Sequence, residues 1–457
     1  MAVSGPIPGL SRRARAGRLW RIGRGRSIAR LPTRVWLLLG IALILRIALV
    51  SATLYTPTTL DAADFSRNGL SIAQGHGIPP SNRAPGGGPS AYRPPAYPVF
   101  LAAVYVVAGQ EAPPAARMVE TVLGTVSVAL IGLIATRLWG RRIGVMALGI
   151  AAIAPPLVVL STTLVSEALF VPLVLGAVAC ALQARRSPHP LRWAVLTGVL
   201  AGVAELTRTN AVVIWPLLAY ALWLAGPRRS WRGRLRPLVV VAVATLTVAP
   251  WTLRNWLVLH AFVPVSTEIG YTLAGTYNAA SRAETHWPAV WKEAEHGASP
   301  EYGQILFTAD IDHWNEVTYG DALQRQAITE IRQHPFYVLK VLAFNAIRMF
   351  HLGELDFAVD NLRDTDIPEV PAWLEILGFY PIGLLALAGL ALGPVRRAPL
   401  WMWLVPVFLC STLLVTGFIR FRSAVDPFLV MLAALGAIGI ADAAKVHLSA
   451  RWPGPRR

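Results

Sequence analysis

The sequence predicts an all-α polytopic membrane protein, and three observations carry that prediction. Hydrophobic residues fill 54% of the 457 positions and charged residues only 15%, more apolar surface than a soluble core of this size could hide. The apolar residues collect into runs of about 17 to 25, the length an α-helix needs to cross a bilayer. The basic residues gather in short connections between alternate runs, as one fixed orientation in a membrane requires. A net charge of +17 could point to nucleic acid, but the arginines lie between apolar runs with no recognition motif beside them, so nucleic-acid binding is set aside.

Residues 1–34 carry Arg12, Arg13, Arg15, Arg18, Arg21, Arg24, Arg26, Arg30 and Arg34 and no acid, which predicts a cytoplasmic tail. The first span follows over 35–55; it ends without a small-residue cleavage pattern, so it reads as an uncleaved anchor. Further spans are expected over 114–136, 143–162, 164–183, 191–207, 211–226, 235–253, 373–393, 398–417 and 424–443, about ten in all. The connections 137–142, 185–192, 228–236 and 396–397 and the tail 445–457 are rich in arginine. They put both termini in the cytoplasm and the chain in the plasma (inner) membrane as a multi-pass protein.

Two shorter apolar stretches, 96–109 and 336–350, would reverse every later basic loop if either were a span. They are expected to be interfacial or re-entrant helices. Sixteen of the 25 acidic residues lie within 254–371, which predicts an extracytoplasmic domain over 254–372. The expected organisation is thus an N-terminal transmembrane module over 35–253 with its first outer loop at 56–113, the outer domain, and C-terminal spans over 373–444. Cys180 and Cys410 both fall in apolar runs, so no disulfide framework is expected.

The residues that could carry chemistry fall on the outer connections. Asp61 and Asp64 open a short surface helix after the first span. A carboxylate there can act as a general base on an acceptor hydroxyl; the alternative is an N-capping Asp61 with a solvated Asp64. Arg93 sits before paired prolines and between Tyr92 and Tyr97, where its guanidinium can fork onto a phosphate or simply reach lipid headgroups. Glu167 starts a span from the outer side, as a functional acid or as a complement to the helix dipole. Glu205 and Arg208 share a hairpin, where pairing at i, i+3 is the default, and Arg254 and Asn255 end a later span. Arg420, Arg422 and Asp426 bracket the last outer hairpin. Basic side chains from distant segments at one depth, facing two carboxylates, fit binding of an anionic lipid headgroup. Arg46 lies inside the first span, where it requires an internal partner. The histidines show no metal-ligand spacing, and a divalent metal stays open.

The order of these motifs resembles one family. "AQGHGIP", "YRPPAYPVFLAAVY", "LVSEALF", "AGVAELTRTN", "APWTLRNWLVLHAFVPVST" and "RFRSAVDPFLVMLAALG" are similar to the GT-C glycosyltransferases of the family 39 and 83 type, which include protein O-mannosyltransferases and the lipid A aminoarabinose transferase. The resemblance runs from Val35 to about Ala444. It implies a GT-C-like bundle of about 10–12 transmembrane helices, and inverting transfer of a sugar from a polyprenyl-phosphate donor to an acceptor glycan, lipid or protein on the outer face. Carried over by motif, Asp61 would be the base, with Asp64 as a stand-in because Ala62 replaces the acid that many relatives have beside it. Arg93 would bind the donor phosphate, Glu167 would be the second acidic position, and Arg254 with Arg420 or Arg422 would be basic residues near the donor pocket. Tyr92, Tyr97, Arg208 and Asn255 complete the expected substrate-binding set.

Two other functions are weighed. A transporter or flippase of an anionic lipid-linked saccharide would share the basic belt, but neither midplane polar residues on broken helices nor repeated halves are visible. A non-catalytic envelope assembly protein would leave Asp61, Arg93 and Glu167 without a purpose.

Overall fold

The computed structural model describes residues 33–225, 231–293, 302, 303, 305 and 311–451; the arginine-rich tail over 1–32, the 228–230 connection and the last residues, 452–457, lie outside them. The regular secondary structure of the described residues is entirely helical, with no strand. Helices α1 (Thr33–Ala52), α2 (Leu60–Ala73), α3 (Ala96–Ala108), α4 (Pro113–Trp139), α5 (Arg141–Ile153), α6 (Pro155–Val159), α7 (Glu167–Ala184), α8 (Pro190–Thr207), α9 (Trp215–Ala225) and α10 (Trp231–Leu259) form the first half. The short helices α11 (Glu268–Thr276), α12 (Ala279–Ala283), α13 (Glu316–Gln333), α14 (Tyr337–Met349) and α15 (Leu355–Arg363) make up the polar segment. Helices α16 (Glu369–Leu392), α17 (Leu400–Leu409) and α18 (Asp426–Arg451) close the bundle.

Six helices are long and apolar enough to cross a membrane: α1, α4, α7, Leu235–Leu259 of α10, α16 and Asp426–His447 of α18. The pair Arg141–Ile153 and Pro155–Thr162, bent by 59°, is long and apolar enough only when taken together, as a broken span or a re-entrant loop. Pro155 and Pro156 cause the bend, since each lacks an N–H and the ring clashes with the preceding turn. The other three expected spans are helical but less regular. Helix α8 carries Arg192 and Glu205, and the stretches Thr209–Leu224 and Leu400–Leu414 are short, each with a 3₁₀ segment. At about 1.5 Å per residue they fall short of a hydrocarbon core of about 30 Å.

The break between α5 and α6 explains the buried arginine of the first span. Arg46 is fully buried, and its guanidinium donates to the carbonyls of Ala152 at 3.3 Å, Ala151 at 3.4 Å and Leu157 at 3.2 Å. The Ala151 and Ala152 carbonyls are the two that Pro155 and Pro156 deprive of helical N–H partners, and inside a bilayer each would be costly to leave unmade.

Small residues set the closest helix contacts. A Cβ at Gly389 of α16 would stand 2.0 Å from the Leu432 carbonyl oxygen of α18, and one at Gly436 of α18 would stand 2.0 Å from that of Leu385. Two spans can approach so closely only with backbone against backbone. The two stretches expected to be interfacial or re-entrant form the helices α3 and α14. Helix α2 lies on α3 through Phe65, Tyr97, Leu101 and Tyr105, with Gly69 against Leu101.

The two ends of the bundle differ in chemistry. At one end Arg137 donates to Ala179 O, Arg186 to Arg137 O and Trp139 to Pro394 O, and Arg142 pairs with Asp442 at 2.7 Å, so the basic connections are tied to one another. The carboxylates and arginines of the first loop, of α7 and of the segment before α18 gather at the opposite end. Along α4 the two ends are about 40 Å apart at the rise of an α-helix.

Candidate functional site

The site begins with the way the chain enters α2. The Asp366 carboxylate accepts from Thr59 N–H at 2.8 Å and from its hydroxyl at 2.7 Å, and Arg117 donates to Leu54 O at 3.0 Å and Thr56 O at 2.9 Å. Between these anchors Leu60 is held at φ +43°, an unfavourable conformation for a leucine, directly before Asp61. Thr59 therefore precedes the first helical residue, and Asp61 lies in the first turn rather than capping it. Its carboxylate is free to reach sideways, where Arg93 Nη2 binds Oδ1 and Arg420 Nη2 binds Oδ2. Burial alone would raise the Asp61 carboxyl, but the two guanidiniums outweigh it and hold it far below the usual carboxylate range.

Asp64, one helical turn on, is buried rather than solvated, with Oδ2 2.7 Å from Arg93 Nε. Arg93 is thus forked between two carboxylates of α2 and also meets Glu268 at 3.6 Å, with Phe65 and Tyr92 rings at 4.7 and 4.9 Å. Burial opposes its charge, yet Asp61 and the other acids raise its pKa further. Glu268, on the first turn of α11, is pushed up by burial against the attraction of Arg93.

A second pair adjoins the first. Glu167, buried at the start of α7, binds Arg208 and stands 3.7 Å from Arg420 Nε. The expected Glu205–Arg208 pair does not form: α8 ends at Thr207 and the backbone of Arg208 is extended, which swings its side chain off the Glu205 face and over the Phe421 ring at 4.3 Å. Asp61, Asp64, Arg93, Glu167, Arg208 and Arg420 therefore make one network of alternating charge.

The other expected residues lie elsewhere. Arg420 and Arg422 share a 3₁₀ helix, Ile419–Ala424, where residues two apart point about 240° from each other. Arg422 consequently turns into the bundle, to Asp426 at 2.9 Å, to Glu375 and to Met349 O at 2.9 Å, while Glu375 also meets His351 at 2.9 Å. Arg254 donates to Ser90 O at 2.8 Å and stacks on Trp251, and Asn255 donates to Val263 O at 3.0 Å, because α10 continues past both residues to Leu259. Tyr97 is buried, with its hydroxyl on Glu120 at 2.5 Å.

A cavity of about 420 Å³ opens onto the network, lined by Asp61, Tyr92, Glu268, Arg420 and Phe421, and elsewhere by Trp287, Trp291, Asp360 and Asn361. That volume is within the range of small-molecule sites. Among the described residues no three His, Cys, Asp or Glu side chains converge as metal ligands.

Sequence reasoning missed Glu316. This buried carboxylate, at the start of α13, accepts from Ser81 at 2.6 Å, Ser90 at 2.7 Å, Ala91 N–H at 2.8 Å and Thr267 at 2.5 Å. It fastens the loop before Tyr92 and Arg93 to the polar segment. Glu316→Ala leaves four donors without a partner, and is expected to cost about 3 kcal/mol or more. Thermal unfolding of the purified protein checks this, with Glu316→Gln retaining part of the stability.

Residues 92–253 match the family described as dolichyl-phosphate-mannose-protein mannosyltransferase. No curated protein sequence matches the chain. The fold is similar to the apo oligosaccharyltransferase of Archaeoglobus fulgidus, with a TM-score of 0.55 at 14% identity over 93% of this chain and 52% of that one. The same archaeal enzyme, AglB, in complex with an inhibitory peptide and a dolichol-phosphate gives a TM-score of 0.53 at 12% identity, over 93% and 52%. ArnT from Cupriavidus metallidurans bound to undecaprenyl phosphate is similar over 89% of this chain and 77% of that one, at 16% identity and a TM-score of 0.41. The chain spans about half the length of the oligosaccharyltransferase. Its helical bundle, its membrane-crossing helices and this likeness make it a polytopic membrane protein of the GT-C fold.

Proposed function

We propose that this chain is an inverting membrane glycosyltransferase that moves a sugar from a polyprenyl-phosphate donor to an acceptor on the face away from the cytoplasm. The observation that carries this reading is the clamp on Asp61: two arginines separated by more than 300 positions hold one carboxylate at the wall of the cavity. The match over 92–253 to a family named for a dolichyl-phosphate sugar, and the dolichol-phosphate bound by AglB, support a lipid-phosphate donor. The basic connections tied together at the other end of the bundle support an outward-facing cavity and a cytoplasmic end opposite it. In this topology residues 254–372 form an extracytoplasmic domain.

The chemistry follows from the charges. Arg420 lines the cavity and can exchange Asp61 for the donor phosphate, with Arg208 beside it. Asp61 then keeps only Arg93, and its carboxyl moves back toward the ordinary range, where it can accept a proton. The acceptor oxygen bonds to the anomeric carbon as the carbon–phosphate oxygen bond breaks on the opposite face. The electron pair leaves on the phosphate, and the acceptor proton goes to Asp61. Charge grows on the phosphate during this step, so Arg420 stabilises the transition state more than the ground state.

Arg420→Ala is expected to weaken polyprenyl-phosphate binding and to lower turnover roughly a hundredfold to a thousandfold. Binding measured on the reconstituted protein, with turnover from a defined polyprenyl-phosphate sugar, provides the check. Unchanged binding and turnover would overturn the assignment.

A further inference from the structure

A second wall of the cavity is built from α15 and the segment that follows α12. Phe357, Asp360, Asn361 and Asp364 stand at i, i+3, i+4 and i+7, one face of a helical turn sequence, and all four line the cavity. The opposite face, with Ala358 and Leu362, is packed into an apolar core. Trp287 meets Phe357 edge to face at 5.5 Å, and Trp291 lines the same space. Asn361 is 5% exposed; its Oδ1 accepts from Ile419 N–H at 3.0 Å, while its amide N–H groups have no partner among the described residues. Ile419 directly precedes Arg420, so this wall adjoins the Asp61 clamp.

We propose that this wall is the acceptor subsite, and that it takes a saccharide bearing hydroxyl or amino donors and no acidic group. The proposal rests on reading the cavity as a glycosyl-transfer site. Hydroxyl and amino groups donate well to the carboxylates of Asp360 and Asp364, and the amide of Asn361 supplies donors for a ring or hydroxyl oxygen. The C–H face of a sugar ring packs on indole as an apolar surface. A uronic acid or a phosphorylated sugar would place like charge against Asp360 and Asp364, both exposed to the cavity's solvent, and would bind more weakly for it. An extended peptide acceptor is less well served, because the described residues offer no sheet edge to pair with its backbone.

The test uses the full chain in nanodiscs, with a neutral hexose disaccharide, a glucosamine disaccharide and a glucuronic acid disaccharide as probes, followed by saturation-transfer NMR. A polyprenyl phosphate is titrated in parallel. The first two disaccharides should bind, and the uronate should bind about tenfold more weakly. Asp360→Lys should reverse that order, and Trp291→Ala should weaken all binding about tenfold, both with polyprenyl-phosphate affinity unchanged. Equal binding of the uronate, no saccharide binding, or insensitivity to both substitutions would overturn the proposal. Failure of the wild-type protein to bind the polyprenyl phosphate, with the saccharide pattern intact, would instead strike at the donor assignment.

Discussion

Asp61→Asn is expected to lower transfer by roughly a hundredfold to ten-thousandfold while leaving the protein folded and inserted. The amide keeps the shape of the carboxylate and one acceptor oxygen, so α2 and its packing through Phe65 on α3 are undisturbed. What it loses is the ability to take the acceptor proton. It also removes the nearer of the two carboxylates that face Arg420, Glu167 being 3.7 Å away, so affinity for a polyprenyl phosphate should hold or rise even as turnover collapses. A drop in turnover with retained donor binding separates loss of the base from loss of the pocket. Near-normal turnover in a reconstituted assay would remove Asp61 from the mechanism. Asp64→Asn makes a useful comparison, since Asp64 meets Arg93 from the buried side and should affect positioning of the guanidinium more than proton transfer.

A loss of stability as large as that at Glu316 is expected at Glu375. Its carboxylate joins Arg422 to His351 in a pocket walled by Phe379, with Arg422 3.9 Å from the ring centroid and fully buried. Glu375→Ala strips a buried guanidinium of one of two carboxylates and leaves His351 without its acceptor. The cost should be about 3 kcal/mol or more, read as a fall of about 5 °C in the unfolding temperature of the solubilised protein. Glu375→Gln keeps hydrogen-bond partners for both neighbours and should lose less. An unchanged unfolding temperature for the alanine variant would show that Asp426 alone is enough to hold Arg422.

Much of this arrangement is legible in the sequence because topology does the sorting. Basic connections alternate with outer ones, so Asp61, Arg93, Glu167, Arg208 and Arg420 share an end of the bundle wherever their helices stand. The short apolar stretches at 96–109 and 336–350 are also legible as short helices, each of 13 residues. Direction of a side chain is harder to read. Arg420 and Arg422 look equivalent until the backbone between them is known to be a 3₁₀ turn, which sends one to Asp61 and the other to Glu375. Arg208 looks paired to Glu205 until its helix ends one residue early. Glu316 and Asp366 are beyond such reasoning, because most of their partners lie more than 200 positions away and are mostly backbone amides and hydroxyls, which no charge pattern marks. Glu268 fails for a related reason: its place beside Arg93 is fixed by the packing of α11, not by any spacing along the chain.

The contact of Arg46 with the broken helix ties together two parts of the chain made at different times. The first helix enters the membrane before the residues at 151–157 have been synthesised, carrying a guanidinium that has only the Ala42 carbonyl of its own helix to bind. The kinked pair that follows arrives with the Ala151 and Ala152 carbonyls opened by Pro155 and Pro156, and this side chain meets both together with that of Leu157. Each segment is therefore an incomplete solute in lipid until the other docks, and that gives their association a polar driving force where hydrophobicity alone supplies none. A generic hydrophobic anchor of equal length, put in place of the first helix, would still insert. It would leave the kink unsealed, so the first span acts as a fitted part of the bundle's frame rather than as an exchangeable tether.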